Sequence, residues 1–94
     1  RISPVEIENY INMHDNILES AVVECRKEDN VKIAAVIVLK NEKLDINDLS
    51  QILRKKLPSY KIPSILYTVD KLPKTSNGKI KRSELKEMLK QSFL

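Results

Sequence analysis

The stretch Ile33-Ala34-Ala35-Val36-Ile37-Val38-Leu39 is the longest unbroken apolar run in the chain. It falls far short of the roughly 20 apolar residues that a membrane-crossing helix needs. Odd and even positions are both apolar, so a strand here has two faces to bury and belongs at the centre of a sheet.

The flanking text supplies its neighbours. Ile17 to Arg26 reads as a strand, with Ala21, Val23 and Cys25 on one face and Ser20, Val22 and Glu24 on the other. The polar loop Lys27–Asn30 lets it form an antiparallel hairpin with the central run. After Leu39 comes a short connection, Asn41–Leu44, and then Asp45 as a helix cap with Asp48 three residues on. Ile46, Leu49, Ile52, Leu53 and Leu57 keep helical spacing up to Pro58. A proline-bounded loop, Ser59–Pro63, leads to a third strand at Ile65–Val69, rich in β-branched and aromatic residues. The helix between the second and third strands permits a parallel crossover.

At the N-terminal end, Ser3 caps, Pro4 suits the first helical position and Glu6 completes a capping box. Ile2 and Ile7 occupy the positions of a hydrophobic staple. Ile7, Tyr10 and Ile11 give one apolar face to a helix over Pro4–Met13, closed by a turn at His14-Asp15-Asn16. Near the other end Ser83 caps a last helix carrying Leu85, Met88 and Leu89. The fold class is therefore α+β: a small three-stranded sheet flanked by helices, in the order α-β-β-α-β-α, as one domain over residues 1–94.

The 94 residues suit one small domain with a real core but not a deep substrate cavity as well, so a catalytic role implies completing a site on a larger body. The chain opens on Arg1 rather than Met and enters a helix start at once, which reads as a piece of a longer protein. The single cysteine, Cys25, cannot form an internal disulfide, which points to a reducing, cytoplasmic setting. No signal-peptide pattern or membrane span is present in the text.

The net charge of +4 is uneven: residues 71 to 90 carry seven basic and two acidic side chains, a balance of +5 against −1 elsewhere. Such a segment suits a polyanion (nucleotide, coenzyme A, nucleic acid or an acidic protein), and equally a solvated lysine-rich surface.

That basic segment begins with a connection longer than it needs to be, Lys71-Leu72-Pro73-Lys74-Thr75-Ser76-Asn77-Gly78-Lys79-Ile80-Lys81-Arg82. Gly78 is the one glycine of the chain, and Asn77-Gly78 favours a tight turn that would carry Lys79 at the tip of a defined loop. A lysine so placed suits an anion whose charge shifts during reaction. The lone glycine rules out a phosphate-binding P-loop, and a plain hairpin turn with its lysines in solvent fits the same residues.

The text from Leu72 to Arg82 resembles the last core motif of the adenylate-forming superfamily, which includes acyl-CoA synthetases, nonribosomal peptide synthetase adenylation domains and luciferases. Arg1-Ile2-Ser3-Pro4-Val5-Glu6-Ile7-Glu8 resembles the end of the motif that follows the interdomain hinge in that superfamily. Ile17–Val23 and Leu57-Pro58-Ser59-Tyr60-Lys61-Ile62-Pro63 fit as well, in the right order.

The resemblance implies a mobile C-terminal lid of an ATP-dependent ligase that activates a carboxylic acid. It implies that Lys79 is the catalytic lysine contacting carboxylate and α-phosphate, within a substrate- and nucleotide-binding loop of Thr75, Ser76, Asn77 and Gly78. Arg1, Ile2 and Ser3 correspond to a loop lining the pantetheine tunnel after the lid rotates. The implied ligands are ATP and Mg2+, held mainly by an N-terminal adenylation subdomain, with CoA or the phosphopantetheine of an acyl or peptidyl carrier protein as acceptor. Ser3-Pro4 replaces the Glu-Leu-Gly usual in peptide synthetases, and Arg26–Asn30 replaces a Pro-Asp-…-Gly stretch common in acyl-CoA synthetases. The choice between CoA and a carrier protein therefore stays open.

Other tempting residues have plainer readings. His14 has no nucleophile at a useful spacing and reads as a turn residue; Cys25 reads as a small core side chain; Tyr60 and Tyr67 read as packing residues. No cluster has metal-ligand spacing. The rival function is a basic module binding nucleic acid or protein without catalysis. The absence of aromatics among the lysines of residues 71 to 90 argues against nucleic acid.

Overall fold

The computed structural model describes residues 3–41 and 45–93. Its elements are α1 (Pro4–Asn12), β1 (Ile17–Lys27), β2 (Asn30–Leu39), α2 (Ile46–Lys56), a single 3-10 turn (Ser59–Lys61), β3 (Ile65–Val69) and α3 (Arg82–Phe93). The sheet order is β1-β2-β3, so the apolar run at 33–39 is the central strand. β1 and β2 pair antiparallel from Ile17↔Leu39 to Lys27↔Asn30, and β2 and β3 pair parallel from Ala34↔Ile65 to Val38↔Val69.

Alternation along the strands sends side chains to two separate cores. Val22, Ile33, Ala35 and Ile37 point to the face covered by Ile7 and Ile11 of α1 and Leu49 and Leu53 of α2, with Leu57 just beyond. Ala21, Val23, Cys25, Ala34, Val36 and Val38 point to the face covered by Leu85 and Leu89 of α3, together with Leu72. A three-stranded sheet can carry this arrangement because its middle strand is buried on both sides.

Several boundaries differ from the sequence expectation. The helix expected to Met13 ends at Asn12, with Met13 as its cap. The loop expected at Lys27–Asn30 shrinks to Glu28-Asp29, because Lys27 and Asn30 pair with each other and Glu28 takes φ 56° to close the turn. Ser83 does not cap α3: the helix starts at Arg82, and Leu85 N–H already bonds Lys81 C=O at 3.4 Å. The Ile2 half of the staple and residues 42–44 of the second connection lie outside the described residues. Ser3 and Asp45 do cap as expected, accepting from Glu6 N–H at 3.4 Å and Asn47 N–H at 2.8 Å.

Tyr60 is not a packing residue: it is 64% exposed, with the Lys61 ammonium 5.9 Å from its ring centre. Tyr67, on the edge strand β3, is 37% exposed, so most of its surface is covered. His14 is a turn residue as read: its Nδ1 accepts from Asn16 N–H at 3.1 Å.

Candidate functional site

The connection from β3 to α3 is a miniature hairpin rather than a loose loop. Leu72 is buried in the α3-side core and Ile80 packs against the same cluster, so both arms are anchored by apolar side chains. Between them Lys74 and Ile80 form an antiparallel bridge. Thr75 N–H bonds Lys79 C=O at 2.8 Å, and Gly78 N–H bonds Thr75 C=O at 2.9 Å. Lys81 N–H bonds Pro73 C=O at 2.9 Å.

The turn has three residues, Ser76-Asn77-Gly78. Only Gly78 adopts positive φ, at 86°; Asn77 does not. This is a turn with a left-handed glycine in third place, one of the common hairpin closures. The Thr75 hydroxyl accepts from Lys79 N–H at 3.1 Å and locks the base of the turn. Ser76 and Asn77 therefore form the apex, and Lys79 leaves the hairpin one step below it rather than at the tip.

The Lys79 side chain is exposed and, among the described residues, its ammonium makes no ion pair or hydrogen bond. Three other cations of the basic segment are engaged. Lys74 Nζ lies 2.6 Å from Glu19 Oε1, Lys81 Nζ lies 3.8 Å from Glu84 Oε1, and Arg82 pairs with Glu8. A solvated lysine-rich face would leave these charges interchangeable; this arrangement leaves Lys79 uncompensated on a well-held backbone. Residues 71–82 contain no carboxylate, so the hairpin offers a divalent cation no acidic ligand. Among the described residues no group of three His, Cys, Asp or Glu side chains is placed to hold a metal ion.

One feature of this site went unread in the sequence. Arg82 reaches across the open edge of β1 to α1, where Nη1 and Nη2 contact both carboxylate oxygens of Glu8, the latter at 3.2 Å. Nη1 also donates to Val22 C=O at 2.9 Å, and Glu8 Oε2 accepts from Val22 N–H at 2.7 Å. Val22 turns its backbone polar groups outward from the sheet, and the two side chains satisfy them. Glu8 is 93% buried and its carboxylate is fully occupied, which is what a buried charge requires. The one available signal was that both residues close their motifs.

Ser3 sits apart from Lys79. It caps α1, whose apolar side covers one face of the sheet, whereas the hairpin is anchored in the core on the other face. Arg1 and Ile2, assigned with Ser3 to a tunnel-lining loop, lie outside the described residues. Ser3, at the start of α1, and the hairpin thus belong with opposite faces of the sheet. None of the described helices is long and apolar enough to cross a membrane.

A family model described as "AMP-binding enzyme C-terminal domain" matches residues 6–79. The chain is 37% identical over 94 residues to an oxalate–CoA ligase of Saccharomyces cerevisiae, covering 98% of this chain and 17% of that protein. It is 38% identical over 94 residues to bacitracin synthase 2 of Bacillus licheniformis, covering 99% of this chain and 4% of that protein. Among solved structures, a benzoate CoA ligase from Burkholderia xenovorans LB400 superposes with a TM-score of 0.83 at 38% identity, over 90% of this chain and 18% of that one. Apo MatB from Rhodopseudomonas palustris superposes at 0.91 with 29% identity, over 99% of this chain and 19% of that one. The chain spans less than a fifth of the length of each of these proteins.

Proposed function

The chain belongs to the family of AMP-binding enzyme C-terminal domains, and from that premise we propose that it is the mobile lid of an ATP-dependent ligase that activates a carboxylic acid. The observation that carries this reading is the uncompensated Lys79 ammonium on a hydrogen-bonded hairpin in which Lys74, Lys81 and Arg82 are paired. The relatives named above include CoA ligases and a peptide synthetase, and this chain matches only their smaller part.

In the first half-reaction Lys79 brings its charge to the oxygens of the carboxylate and of the ATP α-phosphate. Attack of the carboxylate on that phosphorus moves negative charge onto the non-bridging oxygens and onto departing pyrophosphate. A cation already in place stabilises the change without reorganising solvent. Gly78 and Thr75 set the backbone from which Lys79 projects, while Ser76 and Asn77 offer exposed polar side chains at the apex. Since the hairpin has no acidic ligand, Mg2+ falls to the N-terminal adenylation subdomain, with most of the ATP and acid sites.

In the second half-reaction the lid presents its other face, where the segment around Ser3 guides the pantetheine arm of CoA or of a carrier protein to the adenylate. The separation of Ser3 and the hairpin on opposite sheet faces supports two alternating orientations. The buried, unpaired Cys25 thiol is in keeping with a cytoplasmic enzyme.

The test is Lys79→Ala in the intact ligase. Adenylate formation should fall by roughly 10²–10³, the scale for one transition-state charge stabiliser, while thioester formation from preformed adenylate stays near wild type. An equal fall in both half-reactions would refute the assigned role.

A further inference from the structure

We propose that Arg82 and Glu8 are positioning residues for Lys79: their part-buried fork sets the height and direction of the hairpin on the sheet edge. The inference rests on the lid reading above and adds to it residues that touch neither nucleotide nor acid.

The hairpin's own hydrogen bonds are local, running between residues 73 and 81. They shape the turn but say nothing about where it stands on the domain. Two polar contacts do that, one on each arm. On the outgoing arm Lys74 meets Glu19 of β1 as a half-exposed pair, a single point contact from a flexible stem. On the returning arm Arg82 makes contacts with both oxygens of Glu8 and with Val22 C=O. A planar guanidinium held at three points fixes orientation as well as distance.

Glu8 is itself held, since Val22 N–H donates to it and α1 fixes its backbone. Arg82 lies three residues after Lys79, within about 10 Å of chain. Its placement therefore limits where Lys79 can reach. A displacement of about 1 Å at a reacting centre can cost on the order of 10²-fold in rate, so a brace this near the lysine bears on catalysis.

The test is a double-mutant cycle in the intact ligase, assayed for adenylate formation with the carboxylic acid it turns over fastest. Arg82→Gln alone should lower kcat for adenylation about tenfold or more and leave thioester formation from preformed adenylate within about twofold. Placed on Lys79→Ala, the same change should cost less than about twofold, because Arg82 acts through the lysine. Arg82→Lys, which restores the charge but not the fork, should fall between wild type and Arg82→Gln.

Equal falls in both backgrounds, or equal falls in both half-reactions, would reduce Arg82 to a stability residue and overturn the proposal. So would an unchanged adenylation rate in Arg82→Gln. If Arg82→Gln is insoluble, Glu8→Gln goes through the same cycle with the same expected pattern, since its amide oxygen can still accept from Val22 N–H. The Lys79→Ala arm is read by itself: full adenylation there would sink the lid reading, whereas a fall there without an Arg82 or Glu8 effect would sink only the positioning role.

Discussion

Lys61 Nζ lies 2.9 Å from Glu6 Oε1, joining the 3-10 turn before β3 to the first turn of α1. The hydrogen bond that the Lys61 ammonium donates to Glu6 holds it above the ordinary lysine range, against partial burial, which pulls the other way. A folded-state value raised above the unfolded one means stability fully present below about pH 10.4 and lost as pH rises through the folded value. The melting temperature of the wild type minus that of Lys61→Met should be constant from about pH 7 to 9.5 and should narrow at higher pH. Thermal melts of the two chains in matched buffers check this; a gap that widens with pH contradicts the pairing.

Glu8→Ala should destabilise the domain by about 2 kcal/mol or more, since it strands the Val22 N–H and leaves Arg82 without its carboxylate. The estimate sits below the fully buried range because Arg82 is 35% exposed and water can take over part of its shell. Glu8→Gln should cost less, about 1 kcal/mol, as it keeps an acceptor. Urea titrations with a shared slope would measure both; equal losses would mean that the acceptor to Val22 is irrelevant.

Gly78→Ala tests the turn in isolation. A methyl group there meets nothing within 4 Å, so the whole penalty comes from holding a side chain at φ 86°. The expected cost is about 1–2 kcal/mol, with Gly78→Asn recovering part of it because asparagine tolerates left-handed backbone. Adenylation should fall together with hairpin order. An alanine variant as stable and active as wild type would show that the turn can close without positive φ.

Cys25 should be poorly reactive in the native chain. Burial pushes its thiol pKa up, only partly offset by the nearby Lys86 ammonium, so the neutral thiol persists through the ordinary cysteine range. Labelling by an aromatic disulfide reagent at pH 8 should be about 100-fold slower in native buffer than in denaturant. Comparable rates would show that β1 and α3 part readily around it.

Much of this molecule was legible in one dimension. The two-sided apolar run at 33–39 announced a central strand, and alternation along β1 assigned Ala21, Val23 and Cys25 to one core and Val22 to the other. Those patterns are periodic, and burial of apolar faces dominates folding, so periodicity survives into the structure. The caps at Ser3 and Asp45 were readable because each involves neighbours two or three residues away. The hairpin at Asn77-Gly78 was readable from its glycine, although its three-residue form, which moves Lys79 below the apex, was not.

What the sequence determined by itself, then, was the order of elements, the two faces of the sheet and the motif that holds Lys79. Only the tertiary structure decided which charges remain available. Glu8 and Arg82 are 74 residues apart and Glu6 and Lys61 are 55 apart, and nothing in local spacing pairs them. Glu8 and Arg82 meet because α1 and the start of α3 come together at the open edge of β1, where an outward-facing backbone amide and carbonyl at Val22 demand partners, and Glu6 and Lys61 meet where α1 adjoins the turn before β3. Satisfying the Val22 groups consumes Arg82, and Glu19 consumes Lys74, while Lys79, just beyond the turn, keeps its charge uncompensated among the described residues.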